Sequence, residues 1–222
     1  MSSLPPSAWT VHTPRLSLRA YHPTHAAALA EAVERCRPAL AQFMPFAQEP
    51  ATEEGYVQLF TSFQQRFHLR DYLYGIWRRD RDEVVGGCGV HPTVGDLGRE
   101  AGYWIVEEAW GRGYATEALA ALCVVAFHIE QVDRVELRIE PHNHGSRRVA
   151  EKAGFAHEAR LRRRIAFGRT ARDVDVYTLF AADWPTSPGA RVPVELRDIA
   201  DRPLPLPALP ELLDSAEPSG LG

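Results

Sequence analysis

The chain has 222 residues, of which 45% are hydrophobic and 24% charged, and its 25 Lys and Arg against 29 Asp and Glu give a net charge of −4. These values are typical of one globular domain, or one domain with an appendage, and they argue against a disordered chain, a collagen-like fibre or a membrane protein. The slight acidic excess also argues against nonspecific binding of nucleic acid, which normally needs a basic surplus.

The amino-terminal part of the chain predicts a strand, two helices and a hairpin. The strand covers about 11–19, and Thr24 is expected to cap a helix over 25–35. A second helix is predicted over 53–70, with Thr52 as its cap. Two strands follow, over about 72–78 and 84–91, joined by a polar hairpin connection.

The middle and later parts of the chain alternate between strands and helices. A strand over 101–106 leads through a glycine turn into a helix that ends near 128 and has one apolar face. Residues 134–140 alternate between polar and apolar side chains without a break, which predicts a half-buried strand. A short helix over 146–153 ends at Gly154, and strands are predicted over about 155–166 and 173–181. This order predicts a mixed α/β fold.

The last segment differs in composition from the rest. No aromatic residue follows Trp184, and eight of the 17 prolines fall in the final 38 residues. We therefore divide the chain into a domain over 1–184 and a proline-rich tail over 185–222. Two alternatives remain for the tail, an extended segment packed on the body or on a partner subunit, and a loose terminus.

The cysteines and the amino terminus bear on location. Cys36, Cys88 and Cys123 are not clustered and lack the spacing of metal ligands, so they are expected to be reduced and mostly buried. The amino terminus has no basic region followed by an apolar stretch. No secretory signal is therefore expected, and the predicted location is cytoplasmic.

The glycine turn at 110–116 is the strongest functional signal. A strand that enters a helix through such a turn exposes backbone N–H groups at the positive end of the helix dipole, which suits phosphate. Gly111 and Gly113 keep side chains away from the bound oxygens. A mononucleotide P-loop is disfavoured because the loop has no lysine, and a dinucleotide fingerprint because Thr116 replaces its third glycine. A turn that binds nothing remains the structural alternative.

Two blocks of sequence carry a family resemblance. Residues 105–118, Ile-Val-Glu-Glu-Ala-Trp-Gly-Arg-Gly-Tyr-Ala-Thr-Glu-Ala, resemble the acetyl-CoA pyrophosphate loop of the GNAT N-acetyltransferase superfamily. They look most like its Rim branch, which acetylates the amino termini of ribosomal proteins. The first position of the loop is Gln or Arg in the wider superfamily and is Trp110 here, a departure that is familiar in the Rim branch. Asn143, Ser146, Val149 and Gly154-Phe155 form a second block at the superfamily's spacing. The resemblance extends over roughly 10–182 and excludes the tail.

The resemblance implies a fold and a cofactor site. The fold is a mixed α/β sheet with flanking helices, in which two central parallel strands, here 101–106 and 134–140, splay apart around the pantetheine arm of acetyl-CoA. The backbone of Ile105, Val106 and Glu107 would pair with that arm, and the Val106 N–H would meet the thioester oxygen. The phosphates would contact the loop residues Gly111, Arg112, Gly113, Tyr114, Ala115 and Thr116.

Asn143 and its neighbouring histidines have two interpretations each. The Asn143 amide can donate and accept, which suits the amides of pantetheine, but an asparagine is also an ordinary turn residue. His142 and His144 suggest a metal site, yet no third ligand has suitable spacing, so no metal is expected.

Ser146 and Glu158 are the candidate catalytic residues. Many GNAT enzymes have a tyrosine four residues after the position of Ser146, and here Ala150 stands there. By resemblance to Rim-type enzymes, Ser146 would help to reprotonate the leaving thiolate, although it can equally be a helix cap. Glu158 occupies a position where Rim-type enzymes carry a glutamate. If it is partly buried, its raised pKa would let it take the amine proton through a water molecule; otherwise it is a surface charge.

The last predicted hairpin contains both acidic and basic residues that are candidates for binding the substrate. Asp173 and Asp175 alternate on the last strand and can bind a cationic substrate or simply face solvent. The arginines at 160, 162, 163 and 164 can hold an acidic group or form an exposed face.

Together these features predict a cytoplasmic N-acetyltransferase that uses acetyl-CoA and acts by direct attack of an amine in a ternary complex. The most favoured acceptor is a protein or peptide amino terminus, with a monomer or homodimer as the assembly and neither nucleic acid nor membrane as partner. Transfer to a small amine or aminoglycoside, transfer of another acyl group such as succinyl, and a sensor that binds acyl-CoA without turnover remain alternatives.

Overall fold

A computed structural model describes residues 7–50 and 52–210. Its ten strands are β1 (Thr10–His12), β2 (Leu16–Ala20), β3 (Tyr72–Arg78), β4 (Glu83–His91), β5 (Gly98–Ile105), β6 (Arg134–Ile139), β7 (Ala156–Phe167), β8 (Thr170–Phe180), β9 (Glu195–Arg197) and β10 (Pro203–Leu204). The α-helices are α1 (Ala26–Leu40), α2 (Glu53–Phe67), α3 (Tyr114–Val124) and α4 (His144–Ala153). The strands form one sheet in the order β10-β9-β1-β2-β3-β4-β5-β6-β8-β7.

The centre of the sheet contains a parallel pair that separates along its length. β5 and β6 are parallel, whereas the other neighbouring strands for which a register is known are antiparallel. The two strands pair only where Gly98–Glu100 lie opposite Arg134–Glu136, although β5 continues to Ile105 and β6 to Ile139. The predicted mixed α/β fold with splayed parallel strands is confirmed. We call the opening beyond Glu100 and Glu136 the gap.

The two faces of the sheet carry different helices. Successive residues of a strand point to opposite faces. Tyr103 of β5 contacts Ser146 of α4, and Trp104 lies beside Phe46 in the connection between α1 and α2, with ring centroids 6.3 Å apart. We call the side of Tyr103 the α3–α4 face and the side of Trp104 the α1–α2 face.

The helix after the glycine turn forms the centre of the core. From Ala118 through Phe127 each residue is buried, and the helix continues as a π-helix over Val125–Ile129. A helix that is apolar all round must be covered all round. It is packed against β4, β5, α4 and the segment after β8. The start of α3, which bears the glycine turn, is therefore held by the most deeply buried part of the chain.

The helix caps differ in how well the sequence predicts them. Thr52 caps α2 as predicted, since its hydroxyl accepts the Gly55 N–H at 3.1 Å. The prediction for Thr24 is wrong: it lies within a 3₁₀ turn over Pro23–His25 that His22 caps, and α1 begins only at Ala26. Proline at the first position of that turn fits a 3₁₀ start, which delays the α-helix.

The described part of the tail packs on the body. β9 pairs with β1, and Gln131 and His128 bond the carbonyl groups of Ala208 and Pro207 at 2.9 and 2.7 Å. Residues 185–210 are therefore packed on the body of the same chain and are not a loose terminus. Residues 1–6, 51 and 211–222 lie outside the described residues. Among the helices that are described, none is both long and apolar enough to cross a membrane.

Candidate active site

The edge of β5 that borders the gap presents free backbone groups. The Val106 N–H donates to the Val85 carbonyl of β4 at 2.9 Å. Hydrogen bonding alternates along an antiparallel pair, so Trp104 also turns toward β4, whereas the backbone of Tyr103 and Ile105 turns toward the gap. The expectation that the Val106 N–H meets the thioester oxygen is therefore wrong, because that group belongs to the β4 ladder.

One of the gap-facing groups already has a partner. The indole N–H of Trp110 donates to the Ile105 carbonyl at 2.7 Å, while the Trp110 side chain remains half exposed. The Tyr103 and Ile105 N–H groups are the donors left for a ligand in the gap. Glu107 begins a 3₁₀ turn over Glu107–Ala109 that leads from β5 to the glycine loop.

The glycine loop has the backbone that an anion site requires. Gly111 and Gly113 have φ angles of 74° and 80°, in the left-handed region that disfavours side chains, and Gly113 is the N-cap of α3. A Cβ on Gly111 would meet nothing within 4 Å, so this side of the loop is open. The N–H groups at the start of α3 are thus accessible at the positive end of the helix.

The loop is fixed from behind by a residue that sequence reasoning missed. Arg15, between β1 and β2, donates to the Arg112 carbonyl at 2.9 Å and to Glu117 of α3 at 2.6 Å. Glu117 is buried and also accepts the Thr13 hydroxyl at 2.6 Å. Because these partners are about 100 residues apart in sequence, no local pattern could have indicated this anchor.

Arg112 and Tyr114 also border a second space. A cavity of about 390 Å³ lies beside the loop, and its lining includes Arg35, Arg78 and Arg81 together with these two residues. Arg78 is engaged by Asp80 and Glu83. The other loop residues, Ala115 and Thr116, lie in the first turn of α3.

Ser146 is not the cap of α4. Asn143 caps that helix, since its side-chain oxygen accepts the Ser146 N–H at 3.0 Å. The Ser146 hydroxyl instead lies 2.8 Å from the hydroxyl of Tyr103. Burial raises the pKa of Tyr103 to about 12, so its hydroxyl stays protonated at neutral pH. The tyrosine that many GNAT enzymes carry in α4 is replaced here by Ala150. A different tyrosine, Tyr103 of β5, lies beside Ser146 instead.

Glu158 lies farther from the gap than Ser146. It is the extra residue of a β-bulge in β7, where His157 and Ala159 pair with consecutive residues of β8. Its side chain is exposed and accepts the Thr178 hydroxyl. β7 lies two strands beyond β6, which is about 10 Å at ordinary strand spacing. The partial burial that would prepare it as a base is absent.

The two aspartates of β8 already have partners within the chain. Asp175 is buried and accepts two hydrogen bonds from Arg160, at 2.6 and 2.9 Å, with His157 at 3.5 Å. The Arg160 guanidinium holds the pKa of Asp175 below its usual value. Asp173 accepts the Arg163 N–H at 2.8 Å. The expectation that Asp175 binds a cationic substrate is not met, because Arg160 already neutralises it.

His142 and His144 are both exposed. Within 7–50 and 52–210, no three His, Cys, Asp or Glu side chains come together in a way that could hold a metal ion.

Parted strands followed directly by a glycine loop at a helix start are the arrangement that the resemblance to acetyl-CoA-dependent transferases predicts. A family model described as "Acetyltransferase (GNAT) domain" matches residues 15–156. The chain belongs to this family, and the predicted enzyme class, an N-acetyltransferase, is confirmed.

Several relatives share most of the chain. It is 29% identical over 140 residues to "Probable N-acetyltransferase YjcK" of Bacillus subtilis, which covers 62% of this chain and 77% of the relative. It is 26% identical over 183 residues to "Putative ribosomal N-acetyltransferase YdaF" of the same organism, covering 76% and 93%.

Solved structures share the fold. Mycobacterium smegmatis RimJ in complex with CoA-disulfide matches with a TM-score of 0.74 and 24% identity, over 84% of this chain and 93% of that one. The ribosomal-protein acetyltransferase RimL, in complex with coenzyme A, matches with a TM-score of 0.67 and 22% identity, over 76% and 95%.

Proposed function

We propose that this enzyme transfers the acetyl group of acetyl-CoA to the amino-terminal amine of a protein or peptide. The observation that carries the proposal is the gap itself, where the free N–H groups of Tyr103 and Ile105 border one side and the Ser146 hydroxyl stands on the α3–α4 face. The likeness to YdaF, RimL and RimJ, whose names refer to ribosomal proteins or the Rim group, favours a protein acceptor.

The residues around the gap fit an extended phosphate-bearing donor. Acetyl-CoA supplies the acetyl thioester that the amine attacks. The Tyr103 and Ile105 N–H groups are suited to donate to its pantetheine amides and thioester carbonyl. The pantetheine arm would then pair with the edge of β5 as an additional strand of the sheet does. Gly111 to Thr116 offer backbone N–H groups to its phosphates, and Asn143 stands beside the gap as a further polar group.

Ser146 is the proposed proton donor to the leaving sulfur. As the nitrogen–carbon bond forms and the carbon–sulfur bond breaks, the Ser146 hydroxyl hydrogen-bonds the thiolate and supplies a proton. Tyr103 acts through Ser146 as a positioning residue, because its hydroxyl lies 2.8 Å from the Ser146 hydroxyl and can fix the direction in which that hydroxyl points.

The amine then approaches from the opposite, α1–α2 face. Glu158 lies on that face, because its partner Thr178 pairs with Glu136 of β6, which points there. We retain Glu158 as the proposed acceptor of the amine proton, as an exposed carboxylate and not as the partly buried base of the sequence prediction. It would act through one or more water molecules because of its distance from the gap.

The test is thiol release from acetyl-CoA with amino-terminal peptides, polyamines and aminoglycosides as acceptors. We expect peptides to be acetylated, and we expect Ser146→Ala to lower kcat about 100-fold while the KM for acetyl-CoA stays within about threefold. Tyr103→Phe should lower kcat less. Glu158→Gln should lower kcat with a changed pH profile.

Ser62→Ala is the matched control, since it removes a hydroxyl from the exposed part of α2. Unchanged kcat in Ser146→Ala would remove Ser146 from the chemistry. Acetyl-CoA binding without thiol release, for every amine tried, would favour the sensor alternative. Faster reaction with succinyl-CoA would favour another acyl group.

A further inference from the structure

Open space lies over Gly102 on the α1–α2 face, where β5 and β6 begin to part, and we call it the hollow. Gly102 points to this face, between Trp104 and Glu100 of the same strand. A Cβ on Gly102 would meet no atom within 4 Å. A Cβ on Gly89, which pairs with Gly102, would lie 2.8 Å from the His91 ring, and a Cβ on Gly87, which pairs with Trp104, would lie 2.3 Å from the Tyr21 hydroxyl. The space over Gly87 is therefore filled by aromatic side chains, and the space over Gly102 is open.

Arg138 of β6 borders this hollow, and its side chain makes no hydrogen bond to the part of the chain that the structure describes. It points to the same face and lies two residues beyond Glu136, the last residue of β6 that pairs with β5. Its one ion pair in the described residues is to Glu100, at 3.5 Å, which is longer than a hydrogen bond. Its Nε is buried and finds no partner within residues 7–50 and 52–210. A buried guanidinium N–H normally has an acceptor.

The neighbouring arginines of the same sheet face are satisfied. Arg134 bonds Glu136 at 2.8 Å and the Val94 carbonyl at 2.9 Å, and Arg172 bonds Glu140 and the Gln42 carbonyl. The Arg138 side chain keeps 27% exposure, which leaves room for a ligand. Arg138, whose Nε lacks a partner among the described residues, therefore lies at the start of the gap, on the side from which we propose that the amine arrives.

We propose that the hollow over Gly102 is an acceptor subsite in which Arg138 binds a carboxylate carried by the acceptor amine. This inference rests on the proposed function. A planar carboxylate matches the guanidinium fork of Arg138. A phosphate is less suitable, because the Glu100 carboxylate beside Arg138 would repel its second charge.

Two sources can supply such a carboxylate close to the reacting amine. One is the acidic side chain of an amino-terminal Asp or Glu, and the other is the α-carboxylate of a free amino acid. Both place the anion within a few bonds of the amine. Arg138 and Gly102 each lie two residues beyond the last pair, Glu136 and Glu100, and Gly102 is next to Tyr103 in β5. A carboxylate bound to Arg138 would therefore lie near the part of the gap where Tyr103 contacts Ser146.

The experiment compares amines that differ only in the carboxylate. Peptides beginning with Asp or Asn test the side chain, and asparagine against asparaginamide tests the α-carboxylate. We expect the wild-type enzyme to prefer the carboxylate-bearing member of one pair by about tenfold or more in kcat/KM, and Arg138→Gln to abolish the preference. Arg138→Lys should retain part of it. Arg164→Gln, in the exposed hairpin, is the charge-matched control.

Binding measured without turnover separates the subsite from the reaction. Calorimetry with the same amines and saturating coenzyme A should show the carboxylate preference in the wild type and its loss in Arg138→Gln. If no amine is acetylated but this difference remains, the proposed function fails and the subsite stands. Equal binding of both members of each pair, or a preference that survives in Arg138→Gln, overturns the subsite.

A second variant tests the hollow without removing a charge. Gly102→Ala should fold normally, since its Cβ meets no neighbour within 4 Å. It should raise the KM for the preferred acceptor while the KM for acetyl-CoA stays unchanged, and Gly102→Val should do so more strongly. An unchanged acceptor KM in both variants contradicts the placement of the acceptor over Gly102.

Discussion

The proposed donor side and the proposed acceptor side of the gap offer different kinds of chemical group. On the donor side, the groups offered are backbone N–H groups of β5 and of the glycine loop, all within residues 103–116. On the acceptor side, they are side chains of Trp104, Phe46 and Arg138, which come from three separate elements. Backbone recognition needs only a local conformation, so one short motif encodes it, whereas a side-chain pocket needs the whole fold to assemble it.

This contrast predicts different sensitivities to mutation. The donor side should fail when the backbone conformation is disturbed and tolerate many changes of side chain. The acceptor side should respond to single side chains, as expected for Arg138.

The largest expected effect is at Gly113. Gly113→Val forces a β-branched residue to a φ of 80° and brings its Cβ to within 3.4 Å of Arg15. We expect the affinity for coenzyme A, measured by calorimetry, to fall about 100-fold or more, because strain displaces the N–H groups that we propose bind the phosphates.

The matched control is Gly168→Val, in the turn between β7 and β8, where φ is 57° and no atom lies near. It carries the same kind of backbone strain away from the loop and should reduce stability alone. If both variants lose affinity equally, the loop has no special role.

Trp110→Phe should have a smaller effect of the opposite sign. The Trp110 indole N–H occupies the Ile105 carbonyl, which a pantetheine amide would otherwise use. Phenylalanine keeps an aromatic ring and removes the donor, so we expect the affinity for coenzyme A to rise about two- to tenfold, as judged by the dissociation constant. A fall in affinity would show that the indole supports the cofactor rather than competing with it.

The smallest effect is expected at Asp175. Asp175→Asn removes the charge that Arg160 neutralises and should cost about 1 kcal/mol at pH 7, or about 2–4 °C in melting temperature, because Arg160 is half exposed. The folded pKa of Asp175 lies below its unfolded value, so its contribution is present above about pH 4 and is lost as the pH falls through the folded pKa.

The melting temperatures of the wild type and of Asp175→Asn should therefore converge as the pH falls from 7 toward 3. Asp96→Asn, on an exposed loop, is the control. A difference that persists at low pH would mean that shape, and not charge, is what Asp175 contributes.

The sequence predicted the features that depend on neighbouring residues. The alternation over 134–140 became β6, with every second residue buried, and the glycines at 111 and 113 adopt the left-handed backbone that the loop interpretation required. The parted strands came from the family resemblance. Arg15 and Tyr103 were missed because their partners lie about 100 and 43 residues away. The role given to the Val106 N–H failed because ladder alternation depends on the register with β4, which the sequence does not reveal.

The pairing of β9 with β1 means that the two edges of β1 are paired at different times during synthesis. β1 joins β2 a few residues later, but its other edge meets Glu195–Arg197 only after strands β2 to β8 and the four α-helices have been made. Until then β1 presents an unpaired edge, which is a template for pairing with a second molecule. The sheet is therefore completed late, by a contact of very long sequence separation, which favours slow final folding. An expression product shortened to 184 residues would keep the whole catalytic gap and yet be prone to aggregate.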